Sequence, residues 1–342
     1  MRQAFGEGFD VPDGYLDSAG SGVPPASAVA AVTAAVHDWR GGAVDWAGFE
    51  DAVAATRAAV AALTGFPADR VALGPAVSAL VGLIAADVPD RAAVLVAEGE
   101  FTSVSWPFAV QRGRGVTVDE APLERLGERA AGYDVVAVSV AQSADGRVVD
   151  LDALRAARAA GCRVVLDATQ SLGRLDADLS WADAVVAAGY KWLLAPRGAA
   201  WLALGPDLDP VPHLAGWSAA EQPWDSAYGL PVRLARDARR LDLWSSMLVL
   251  AGAGVSVPWV AGLDRAAVHA HCVGLADAFR EGLGMGPGGS AIVSVPGDDA
   301  DDRLAAAGVV ATSLACGARL AFALYNTQSD VDRALRALHG AS

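Results

Sequence analysis

Lysine is almost absent. The chain has 342 residues, and its 26 basic residues are 25 arginines and a single lysine, Lys191. On the order of ten or more lysines are usual at this length. A codon bias that replaces lysine by arginine wherever only positive charge matters accounts for the deficit, and the abundance of alanine, glycine and arginine agrees with it. The one survivor then marks a position where arginine cannot serve. Arginine stays protonated at any working pH, whereas lysine can lose its proton and attack a carbonyl.

Charge and sulfur are scarce as well. Charged residues make up 19% of the chain and leave a net charge of -14, against 53% hydrophobic residues. So apolar a chain is not disordered, and it is long enough for two domains. An acidic body repels phosphate backbones, so no nucleic-acid partner is expected. Three cysteines, Cys162, Cys272 and Cys316, show no CxxC spacing, and the five histidines form no HExxH. Neither a disulfide framework nor a metal site is expected. The N-terminus lacks a basic stretch followed by a long apolar run, which gives the expectation of a cytoplasmic protein. Residues 243–263 carry no charge, but Gly252, Gly254, Ser256, Pro258 and Gly262 interrupt them. They are expected to form one or two buried helices and not a membrane span.

What is present is an alternation of strands and helices. Residues 93–97, 135–140, 163–167, 183–187 and 198–204 are short apolar runs, several rich in valine. Unalternated runs of this kind suit strands buried on both faces. Residues 150–160 read as a helix that opens on acidic residues and stops before Gly161. Pro24-Pro25 opens another helix, to about Trp39. The expected fold class is α/β with a mostly parallel sheet. After about Arg240 a long helical region precedes strands near 291–295, 309–313 and 319–324 and a helix over 330–338. The expected division is a large domain over 21–240 and a smaller α+β domain from 1–20 and 241–342.

In open parallel sheets ligands sit beyond the carboxyl ends of the strands. Asp167 ends one predicted strand, and Lys191 follows the next, 24 residues later. A lysine there can join an aldehyde, and an aspartate there can pair with a protonated pyridine nitrogen. Pyridoxal 5'-phosphate (PLP) needs both groups.

Four segments, in order, resemble the class V aminotransferase group of PLP enzymes of fold type I, which includes cysteine desulfurases and kynureninases. They are Tyr15-Leu16-Asp17-Ser18-Ala19-Gly20, Asp167 to Gly173 (DATQSLG), Gly189-Tyr190-Lys191-Trp192-Leu193 with Arg197-Gly198 after it, and Arg319 to Asp332 (RLAFALYNTQSDVD), where Ala321 replaces a serine. The resemblance implies that Lys191 holds PLP and later acts as a base at the substrate α-carbon. It implies that Asp167 binds the pyridine nitrogen, that Gln170 donates to the ring's phenolic oxygen and that Phe101 stacks on the ring. Leu73 to Ser78 fits the family's phosphate loop, with the Val77 and Ser78 amides and the Ser78 hydroxyl as donors. Tyr190 replaces a commoner histidine, and its hydroxyl can reach phosphate. Ala188 replaces a frequent serine. Ser245 falls where relatives offer a Gly-Thr pair from the other subunit, with Trp244 in place of the glycine. Arg319 would pair with a substrate carboxylate, near Ala19. A homodimer is implied too.

The remaining features bear on the reaction. A desulfurase needs a nucleophilic cysteine on a loop ahead of the carboxylate-binding arginine. Cys316 is only three residues before Arg319, Cys162 precedes a core strand and Cys272 lies in a helical stretch. A narrower resemblance is to the PLP-dependent C–S lyases of ergothioneine biosynthesis. It is carried by Gly189 to Leu193, His213 to Trp217, Pro223 to Gly229 and Asp237 to Arg240. It implies elimination from hercynylcysteine sulfoxide, with ergothioneine, pyruvate and ammonia as end products. The trimethylammonium group of that substrate would attract an aromatic face. Trp217 and Trp224 are the expected contacts, with Trp39, Trp46 and Trp106 as further candidates. An aminotransferase or another β-lyase would share the same residues, whereas Lys191 argues against a non-catalytic relative, since a dead site under this codon bias should have drifted to arginine.

Overall fold

The computed structural model describes residues 1–297, 299–314 and 317–339. Cys316 and its expected turn lie outside the described residues. A hairpin of β1 (Arg2–Ala4) and β2 (Glu7–Phe9) comes first, then helices α1 (Ala26–Arg40) and α2 (Trp46–Thr64). The central part runs β3 (Val71–Gly74), α3 (Val77–Asp87), β4 (Ala93–Ala97), α4 (Thr102–Ala109), β5 (Thr117–Ala121), a single turn α5 (Leu126–Arg129) and β6 (Val135–Ser139). It continues with α6 (Leu151–Ala159), β7 (Arg163–Asp167), β8 (Ala184–Ala188) and β9 (Ala200–Leu204). The C-terminal part has α7 (Met247–Ala261), α8 (Arg265–Gly282), β10 (Ile292–Val295), α9 (Ala300–Ala306), β11 (Thr312–Leu314), β12 (Gly317–Ala321) and α10 (Gln328–His339).

The main sheet has seven strands in the order β3-β9-β8-β7-β6-β4-β5. Only β9 runs against the others. The mostly parallel α/β sheet is therefore as expected, and both of its faces are covered. Along β6, Val136 and Val138 pack with residues of α2, α6 and α7, while Val135 and Ala137 pack with residues of α3 and α4. Burial on both faces removes any need for polar alternation, which is why the runs read as continuous. Asp150 caps α6 by accepting from the Ala153 amide at 2.9 Å, and Gly161 follows its end with φ +104.

The uncharged stretch resolves into α7, whose Leu250, Ala253, Val257 and Val260 are buried in the core beneath the sheet. Among the described residues no single helix is long and apolar enough to cross a membrane; α7 and α8 pass such a test only as a pair bent by 93°. In the C-terminal part, β12 lies between β10 and β11 in an antiparallel sheet. β11 and β12 sit up to three residues from the expected strands. The N-terminal segment joins that sheet through bridges Tyr15 to Val310 and Asp17 to Ala321. Asp17 is thereby brought beside Arg319.

Candidate active site

The carboxyl ends of β3, β4, β6, β7 and β8 open onto one cavity of about 320 Å³. Each strand end contributes to its wall. Pro75, Ala76 and Val77 follow β3, Phe101 and Thr102 follow β4, and Ser143 follows β6. Asp167, Thr169 and Gln170 come from β7, and Tyr190 and Lys191 from β8. Arg197 and Gly198 enter just before β9, whose reversed direction brings its start to the same rim.

Lys191 is 5% exposed and makes no hydrogen bond or ion pair with the other described residues. Its Nζ lies 5.4 Å from the Phe101 ring centre and 5.6 Å from that of Tyr190. Burial pulls its pKa down to about 8; Asp167 opposes this, and Arg319 and Arg197 add to it. The lysine backbone is held from the N-terminal segment. The Gly22 amide donates to the Tyr190 carbonyl at 2.9 Å, and a Cβ at Gly22 would overlap the Lys191 carbonyl oxygen. Only glycine permits that approach.

Asp167 is pushed up to about 6 by burial, against the pull of its Thr169 contacts and with a further push from Glu100. The Thr169 amide donates to its Oδ1 at 2.8 Å. Thr169 also ties β7 to β8, its Oγ1 accepting from the Ala188 amide at 3.0 Å. Glu100, itself buried, accepts from the Ser139 amide (2.9 Å), the Ser139 hydroxyl (2.5 Å), Gln142 Nε2 (3.1 Å) and the Phe101 amide (2.8 Å). It therefore fixes the strand end that presents Phe101.

Gln170 has a determined orientation. Trp192 Nε1 can only donate and bonds Gln170 Oε1 at 2.8 Å, while the Ala19 carbonyl can only accept and takes Gln170 Nε2 at 2.9 Å. The same nitrogen lies 2.9 Å from Ser143 Oγ. Arg174 holds the far side, its Nε donating to the Gln170 carbonyl at 2.7 Å and its guanidinium stacked 4.5 Å over Trp192. Arg319 donates through Nη1 to the Ser143 carbonyl at 2.9 Å and pairs through Nη2 with Asp17 at 3.1 Å.

The structure thus gathers Lys191, Asp167, Gln170, Phe101, Tyr190 and Val77 around one cavity. Arg319 and Ala19 stand behind its wall and reach it through Ser143 and Gln170. Four of the expected contacts, two serines and two tryptophans, do not line this cavity within the chain. Ser78 faces away, into shallow grooves beside Trp106 and beside His213 and Leu214. Ser245 Oγ donates to the Gly198 carbonyl at 2.6 Å, so its hydroxyl is engaged within the chain. Trp217 and Trp224 do not line the cavity in this chain. They pack against each other, with ring centres 5.0 Å apart, and against Trp46 and Trp244, and Trp224 Nε1 bonds Glu50. Mutual ring packing satisfies them where they are. Glu100, Ser139 and Ser143 were missed, although the strand-end rule points to each of them; Thr169 and Arg197 stand inside the quoted segments but had no role, and Arg197 precedes the reversed β9, where that rule does not reach.

The family model for aminotransferase class-V matches residues 14–213, more than half of the chain. The chain belongs to the class-V aminotransferase family. Isopenicillin N epimerase of Streptomyces clavuligerus is 28% identical over 262 residues, which is 68% of this chain. The chain spans 64% of that protein's length. Among solved structures, the cysteine desulfurase CsdA of Escherichia coli covers 97% of the chain, and the chain covers 96% of it, at 19% identity and a TM-score of 0.81. The cystine C–S lyase C-DES, in complex with cysteine persulfide, covers 95% and is covered to 97%, at 17% identity and a TM-score of 0.81. These structures share the PLP-dependent type I fold with this class-V member.

Its cofactor is PLP. The donor set fits it. An unpartnered, buried lysine amine suits the aldehyde, a buried carboxylate suits the ring nitrogen, and the exposed Phe101 edge of the cavity suits a flat ring. Helix α3 begins at the wall with no side-chain cap, so the amides of its first turn are available to an anion.

Proposed function

We propose that this class-V enzyme is a PLP-dependent carbon–sulfur lyase that acts by β-elimination on hercynylcysteine sulfoxide. The observation that carries the reading is Lys191, a solitary amine whose buried setting lowers its proton affinity beside Asp167. PLP, when bound, supplies a sink for the electrons of the substrate α-carbon. Lys191 takes the α-proton, and the bond from the β-carbon to sulfur breaks with its electron pair on sulfur. Arg319 orients the substrate carboxylate, displacing Asp17 from its guanidinium. The three-carbon fragment of the substrate takes up water to give pyruvate and ammonia, and the sulfur leaves as a sulfenic acid, which two equivalents of an added thiol reduce to ergothioneine with release of water and a disulfide. No cysteine enters this scheme. Cys162 and Cys272 are buried, which pushes their thiols up to about 11 and 12, far from the thiolate a persulfide route requires. Further support is the likeness of residues 189–193, 213–217, 223–229 and 237–240 to the ergothioneine lyases.

The test offers the PLP-loaded enzyme hercynylcysteine sulfoxide, cysteine, cystathionine and isopenicillin N separately, with a thiol reductant. Pyruvate and ergothioneine from the sulfoxide are the expected products. Alanine from cysteine, pyruvate from cystathionine alone, or inversion of isopenicillin N without pyruvate would each replace the proposal by a desulfurase, a general β-lyase or an epimerase. We propose in addition that the working form is a homodimer, supported by Val29, Val36 and Trp39, which lie exposed on one face of α1.

A further inference from the structure

Of the hydroxyls expected to hold the cofactor phosphate, only the uncharged Tyr190 phenol stands at the cavity. Ser78 faces outward, Ser245 is bonded to Gly198, and position 188 is alanine. A phosphate still needs charge compensation, and so does a protein with 40 acidic residues that must attract it. Apart from Lys191, which is needed for the aldehyde, one cation among the described residues of the cavity wall is free to give it. Arg197 lines the cavity with its guanidinium 4.8 Å over the Tyr190 ring, and it makes no hydrogen bond or ion pair with the other described residues. The other guanidinium nearby, Arg319, is already held by Asp17 and Ser143. The backbone around Arg197 is fixed, since Pro196 precedes it and Gly198, at φ +119, has its carbonyl bonded to Ser245. Its charge is felt at Lys191, so it stands within electrostatic reach of the cofactor's attachment point.

We propose that Arg197 is the counter-ion of the PLP phosphate, acting with the free amides at the start of α3. A guanidinium presents paired N–H groups that match phosphate oxygens. Arginine also brings the charge without a second amine, so nothing competes with Lys191 for the aldehyde. The same chemistry would serve a carboxylate on the substrate, and the experiment separates the two. This inference rests on the cofactor and not on which substrate is cleaved.

Cofactor-free wild type, Arg197→Ala and Arg197→Gln are titrated with PLP and with pyridoxal, which lacks the phosphate, and binding is followed by cofactor absorbance. Both variants should bind PLP about 10- to 100-fold more weakly, the size of a lost charge-assisted bond, and pyridoxal as the wild type does. Inorganic phosphate should compete with PLP in the wild type and far less in the variants. Unchanged PLP affinity together with a raised KM for substrate would overturn the proposal and assign Arg197 to the substrate carboxylate. An equal loss for PLP and pyridoxal would overturn it too, because the effect would then not run through the phosphate.

Discussion

Lys191 illustrates how a site residue is both costly and indispensable. Its pKa falls from the usual 10.5 to about 8, mainly through burial. Below pH 8 the amine is charged in the folded and unfolded chains alike, so the full burial penalty applies. Between pH 8 and 10.5 the folded lysine is neutral while the unfolded one is still charged, and the penalty fades with rising pH. Lys191→Met should therefore stabilise the cofactor-free protein by about 1–3 kcal/mol at pH 7. The gain should shrink toward zero by pH 10.5, as read by urea denaturation at both values, while turnover is lost at every pH. Lys191→Arg should be equally inactive. The importance of this lysine was legible because its scarcity singled it out, and Asp167 because it ends a strand. Ser143 and Thr169 sit at strand ends just as surely, but no motif distinguishes a serine that accepts from Gln170 from one that faces water. The direction of the Ser78 hydroxyl was equally unreadable, since it depends on how α3 docks. Trp217 and Trp224 were misplaced for a related reason: a tryptophan near a loop can be satisfied by other tryptophans.

At the scale of elements, the strand that leads into the phosphate end of the cavity hangs on one buried ion pair. β3 is an edge strand, and residues 242–243 act as its missing neighbour. Asp242 Oδ1 accepts from the Leu73 amide at 2.8 Å, and the Leu243 amide donates to the Leu73 carbonyl at 3.0 Å. Asp242 also pairs with Arg57 of α2 at 2.6 Å, and Arg57 donates to the Val71 carbonyl. Removing the carboxylate leaves the buried Arg57 guanidinium without its counter-charge and the buried Leu73 amide without its acceptor. Asp242→Ala should cost about 3–5 kcal/mol in denaturant unfolding. It should also weaken PLP binding, because Pro75 to Val77 continue directly from β3. The central strands were legible to within about a residue or two, since burial on both faces writes itself as an apolar run. β5 was not, because as an edge strand it carries Thr117, Asp119 and Glu120 toward solvent. The β1–β2 hairpin is too short to leave a period.

For the molecule as a whole, the N-terminal segment is the part on which site and stability meet. It supplies Asp17 to Arg319, Ala19 to Gln170 and Gly22 to the lysine turn, yet it is held by the C-terminal part. The dimer proposal is a whole-molecule matter too. Sedimentation should give twice 34.8 kDa, and Trp39→Glu on the exposed face of α1 should shift the equilibrium toward one copy. The anchor of the N-terminal segment is Asp330, which accepts from Arg2 at 2.6 Å, the Gly14 amide at 2.9 Å, the Thr327 amide at 3.0 Å and Asn326 at 3.1 Å. Burial works to raise its pKa, but Arg2 and these amides outweigh it and hold the carboxyl below the usual aspartate value. A carboxyl lowered in this way stabilises the fold above the unfolded pKa near 4 and loses that effect as pH falls through its own lower value. Asp330→Asn keeps the size and one acceptor but removes the charge that Arg2 needs. It should destabilise the protein by about 2–4 kcal/mol at pH 7, and the difference from wild type should narrow below pH 4. Because Asp17 and Gly22 ride on the same segment, limited proteolysis of the variant should open residues 1–25 before the main sheet unfolds. Substrate KM should then rise while the PLP-binding strand ends stay intact. A variant that lost PLP and substrate binding together would show that the segment and the sheet unfold as one unit.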